Sequence, residues 1–66
     1  MTGYEIRILN KDGGVSSTVL ALHINDYAAV RSARKLAADR AVEVWRDLDC
    51  IYRESAAATD HQDHAA

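Results

Sequence analysis

The sequence predicts a small α+β domain, ββαββ in order, with an antiparallel sheet arranged 2-1-3-4 and one helix on one face. Three observations predict it. Residues from Asp26 onward carry apolar side chains at helical spacing and run almost directly into the alternating segment Ala41–Arg46. Ahead of them, two alternating segments flank the turn-forming Lys11-Asp12-Gly13-Gly14. Behind them, Asp47-Leu48-Asp49 precedes a short apolar run that completes a second hairpin.

The first strand is expected at Tyr4–Leu9, where Tyr4, Ile6 and Ile8 alternate with Glu5 and Arg7. Asp12-Gly13 suits a turn closed by a glycine in the left-handed region. The second strand is expected from about Val15 to Ile24. Its first half, Ser16-Ser17-Thr18, is polar, and its second half sets Leu20, Leu22 and Ile24 against Val19, Ala21 and His23. A three- or five-residue loop pairs even positions with even positions and gathers Leu20 and Leu22 with Tyr4, Ile6 and Ile8. A two-residue loop pairs even with odd and brings in Val19 and Ala21 instead. The first arrangement collects the larger side chains and is the expected one.

The helix is expected to start at Asn25 or Asp26, whose side-chain oxygens can accept an orphan backbone N–H. Its apolar stripe is Ala29, Val30, Ala33, Leu36 and Ala37, and no glycine marks its end near Asp39 or Arg40. The third strand is expected at Ala41–Arg46, with Val42 and Val44 opposite in facing to Glu43 and Trp45. The fourth is expected at Cys50–Arg53. A right-handed connection lays strand three beside strand one. Residues 1–54 form the domain. From Ser55 the composition collapses to Ala, Thr, Asp, His and Gln, which cannot offset the entropy of ordering, so 55–66 is expected to be a disordered tail.

Sixty-six residues make one domain of marginal stability, for which association is the available reinforcement. With Cys50 the sole cysteine, no internal disulfide can form. No apolar run is long enough for a bilayer and the start does not resemble a signal peptide, so the expected location is cytoplasmic, with no membrane contact. Of ten acidic and eight basic residues, Asp60 and Asp63 lie in the tail, leaving 1–54 neutral. A neutral body lacks the field for non-specific phosphate binding, so nucleic acid is not the expected partner.

Chemistry is sparse. One cysteine and three histidines are poorly spaced for a closed zinc site, and His61 and His64 beside Asp60 and Asp63 lack preorganisation in a tail. Asp47 and Asp49 read as turn formers, Cys50 as a small hydrophobe, and His23 has no triad partner at an identifiable spacing. The expectation is therefore no enzyme, no cofactor and no metal.

The sheet face away from the helix, or an edge strand of the sheet, is the expected working surface. With the even positions turned inward, the face carries Arg7, Leu9, Val19, Ala21, Glu43 and Trp45, an apolar set rimmed by charge that suits a homodimer or another protein. The alternative is a nucleic-acid accessory role for the basic outer helix face, Arg31, Arg34 and Lys35. Tyr4-x-Ile6, Gly13-x-Val15, Ala28-Ala29, Ala33-Arg34-x-Leu36-Ala37 and Val42-Glu43-Val44-Trp45 together resemble a group of short bacterial proteins, mainly alphaproteobacterial. The resemblance covers about residues 4–53 and implies a small stand-alone domain, with no activity, cofactor or catalytic residue.

Overall fold

In a computed structural model that describes residues 1–56, the chain forms β1 (Thr2–Leu9), β2 (Val15–His23), α1 (Asp26–Ala37), β3 (Val42–Arg46) and β4 (Asp49–Glu54). The sheet runs β2-β1-β3-β4 with every neighbouring pair antiparallel, as the ββαββ pattern predicts. Ser55 and Ala56 follow β4 without regular structure. The remainder of the expected tail, including His61 and His64, lies outside the described residues.

The register of β2 corrects the expected facing. Asn10–Gly14 does form a five-residue loop. The Asn10 N–H donates to the Gly14 carbonyl at 2.7 Å, the Gly13 N–H to the Asn10 carbonyl at 3.0 Å, and Gly13 takes a φ of +92°. Leu9 accordingly pairs with Val15, odd with odd. One step further the register shifts. Ile8 pairs with Ser17, leaving Ser16 as an extra residue, and from there Ile6 meets Val19 and Tyr4 meets Ala21. A bulge of one residue reverses the facing of everything beyond it. Val19 and Ala21, expected on the open face, therefore share the helix side with Tyr4 and Ile6, and Leu20 and Leu22 take the open side. Arg40, from the loop after the helix, holds the bulge by donating from Nη2 to the Ser16 hydroxyl at 2.9 Å.

The core is built from modest side chains: Tyr4, Ile6 and Ile8 of β1, Val42 and Val44 of β3, and Ala29, Ala33 and Ala37 of α1, with Val19, Val30, Ile51 and Tyr52 packed at its margin. The three alanines form an i, i+4 line that lets the helix approach the sheet closely. Leu36, expected in the stripe, is exposed, whereas Val30 packs at the core margin. Asn25 caps the helix, its Oδ1 accepting from the Ala28 N–H at 2.8 Å.

A polar clamp ties three elements together at the helix start. The Tyr4 hydroxyl donates to Asp26 Oδ1 at 2.6 Å, and Arg46 Nη1 donates to Asp26 Oδ2 at 2.6 Å. The bonds from Tyr4 and then from Arg46 hold the Asp26 carboxyl below its usual range, while the bond to Asp26, aided by burial, pushes the Tyr4 phenol up. The depressed carboxyl contributes stability that is complete above the ordinary carboxylate value of about 4 and is lost as pH falls through the depressed one. The raised phenol contributes below the ordinary value of about 10 and its share is lost as pH rises through the raised one.

Two predictions follow from this packing. Denaturant unfolding of Asp26→Asn beside the parent should show a clear stability deficit at about pH 6 that narrows towards about pH 3, where the parent carboxyl is itself protonating. A deficit independent of pH would remove Asp26 ionisation from the clamp. Ala38, which ends the helix at φ +58°, ψ −113°, occupies backbone space that suits glycine. Ala38→Gly should stabilise the fold by about 1 kcal/mol and raise Tm by roughly 5 °C in a thermal melt.

Candidate interaction face

The side of the sheet away from α1 is covered by no element among the described residues, and strand alternation determines what it presents. β1 contributes Glu5 and Arg7, β3 contributes Glu43 and Trp45, and β2, after its bulge, contributes Thr18, Leu20 and Leu22. β4 adds Arg53, opposite Glu43, and Cys50, opposite Trp45. Trp45 thus stands on the open face, half-buried, because Val42 and Val44 occupy the inward positions of β3.

Its surroundings are organised by charge. Arg7 lies with its guanidinium carbon 4.6 Å from the centre of the Trp45 ring, and its Nε donates to Glu5. The Trp45 indole N–H donates to Glu43 Oε1 at 2.9 Å, and the other oxygen of Glu43 takes Arg53 Nε at 3.2 Å. The bond to Glu5 raises the Arg7 pKa further, so the cation over the indole is permanent. A cation over an indole stabilises by about 0.5–1 kcal/mol at an exposed site. Trp45 is consequently a capped ring with a satisfied N–H, braced by a Glu5–Arg7 and Glu43–Arg53 lattice.

The bare apolar surface lies next to it. Leu20 is 78 % exposed, Leu22 65 %, and Ile24, just past the strand, 75 %. With Gly3, Glu5 and Asp47, the two leucines and Trp45 line an open groove of about 390 Å³. Gly3 stands opposite Leu22 in the register, and a β-carbon there would lie 3.7 Å from Leu22 Cδ2, in ordinary contact. Sequence reasoning assigned these leucines to the core, since size argues for burial. The signal that could have placed them outward is the Ser16-Ser17 pair, a polar interruption of the alternating pattern where a bulge can form.

The other residues singled out by sequence distribute as follows. Leu9 is half-buried at the far end of β1, beside Asn10, Arg40 and Ala41, away from the leucines. Cys50 is half-buried, its thiol donating to the Tyr52 carbonyl at 3.5 Å. Asp47 forms the β3–β4 turn at φ +58°. His23 is half-buried, its ring 6.0 Å from that of Tyr4, and its Nε2 has no hydrogen-bond partner among the described residues. On the helix, Arg31 and Lys35 share one shallow surface groove, with Arg31 near the Tyr27 ring, while Arg34 turns to Glu54 at 3.2 Å. The three cations expected to act as one patch are split between two directions. Among the described residues no cluster of three or more metal-ligating side chains occurs, and no helix is long and apolar enough to cross a membrane.

Comparison with protein-family models, with curated proteins and with solved structures finds no match to this chain.

Proposed function

We propose that this protein is a small non-enzymatic interaction module of the bacterial cytoplasm that self-associates as a homodimer through the open sheet face and the strand bordering it. The observation that carries the reading is the exposure of Leu20, Leu22 and Ile24, three large aliphatic side chains of which the two leucines line one groove with Trp45, in a chain whose own core is built from Tyr4 and from isoleucine, valine and alanine. Leaving them in water forfeits about 1.5–3 kcal/mol each relative to burial. A chain of this size has little stability to spare, and association recovers part of that loss.

The polar groups of the same face support binding over catalysis. Glu5, Arg7, Glu43 and Arg53 are engaged with one another and with Trp45, and this lattice flanks the apolar edge strand on one side. A single free thiol, Cys50, is at home in a reducing compartment. The basic helix face is the weaker candidate surface, since Arg34 already answers Glu54.

Leu22→Ser tests the reading. Because the side chain is mostly exposed within one chain, the substitution should leave the thermal melt of dilute protein nearly unchanged. It should raise the dimer dissociation constant about tenfold or more, read by light scattering across a concentration series. A parent protein that remains monomeric throughout that series would overturn the proposal.

A further inference from the structure

We infer that β2 is the dimerisation edge, pairing antiparallel with β2 of a second copy about a two-fold axis at Leu20 to give one continuous eight-stranded sheet. The inference rests on the self-association proposed above and specifies its geometry.

The sheet order leaves two edges, β2 and β4, each with a row of backbone N–H and C=O groups that meets no strand among the described residues. Such edges invite pairing, and proteins ordinarily guard them with charge, bulges or brevity. β4 is guarded. Its six residues include Asp49, Arg53 and Glu54, and a bulge at Ile51 interrupts its register with β3. Pairing β4 with its own copy about its centre would set Asp49 against the Glu54 of the other chain, acid against acid. β2 is nine residues long and contains no Lys, Arg, Asp or Glu. Its bulge lies at Ser16, near the loop, and disturbs only that end.

What remains is a regular stretch, Ser17–His23, in unbroken register with β1, and Leu20 is its middle residue. A two-fold axis there sets Leu20 against Leu20 of the second copy, Val19 against Ala21, Thr18 against Leu22, and Ser17 against His23. No pair opposes like charges. Directly opposed residues share a face, so Thr18, Leu20 and Leu22 of both copies converge on the open side, where each chain alone leaves its leucines bare. The helix side receives the small pair Val19 and Ala21, which the close approach of α1 already favours. A strand pairs well with its own copy only if it is self-complementary under such an axis, and β2 is the edge of this sheet that meets the condition.

The test uses the full chain in two independent measurements. Backbone amide exchange of the parent protein is followed at concentrations that favour monomer and dimer. Edge pairing predicts that the outward-pointing amides among Ser17–His23 exchange tenfold or more slowly in the dimer, whereas stacking of open faces leaves their rates unchanged. Separately, Leu20→Glu and Leu20→Lys are each checked for folding by circular dichroism and then mixed. Each alone should be monomeric, and the equimolar mixture should recover the dimer mass, because residue 20 of one chain meets residue 20 of the other. A dimer whose β2 amides are unprotected, or a mixture that stays monomeric, overturns edge pairing while self-association stands. A parent protein that is monomeric at every concentration overturns both.

Discussion

The distance between helix and sheet is set by the line Ala29, Ala33 and Ala37, and most other features of the molecule answer to it. Methyl groups at i, i+4 intervals pack the helix against Tyr4, Ile6 and Ile8 of β1 and Val42 and Val44 of β3, with Val19 of β2 at the margin. The facing of β2 is set by its register. One residue inserted at Ser16 turns Val19 and Ala21 under the helix and sends Leu20 and Leu22 outward. The apolar surface of the protein is thus a consequence of the β2 register.

The clamp of Tyr4, Asp26 and Arg46 closes one end of this thin core, and the bond from Arg40 to the Ser16 hydroxyl closes the other. Both span elements distant in sequence, linking the hairpin to the helix and to the strand after it. Neither is deeply buried, so their value lies in geometry: they fix where the helix begins and where the bulge sits. The open face shows the same economy, with Trp45 held by neighbours on the strands rather than by a core.

Much of this was legible from residues alone. Alternation along Tyr4–Ile8 and Val42–Trp45 placed β1 and β3 and turned Trp45 outward once Val42 and Val44 face the helix, Asn25 or Asp26 marked the helix start, and a right-handed connection gave the 2-1-3-4 order. A loop of three or five residues was legible too. The parity of β2 was not, because loop length determines register only if no bulge follows, and a bulge is a local rearrangement whose sequence cost at a Ser-Ser pair is close to nothing. Side-chain volume then argued for burying the leucines, and the bulge at Ser16 overruled it. The split of Arg34 from Arg31 and Lys35 was hidden for a related reason: it depends on Glu54, which reaches that side of the helix only once β4 is in place.

Trp45 gives the molecule an optical property of its own. It is the sole tryptophan of the chain, and its indole lies on the open face between a guanidinium, a carboxylate and, across the β3–β4 pair, a thiol. A guanidinium and a carboxylate, both able to influence indole emission, contact the one strong fluorophore at the border of the leucine groove. Light absorbed at the red edge, where the three tyrosines no longer absorb, is therefore reported from a single place, so the indole emission colour and lifetime describe the state of that surface without any label.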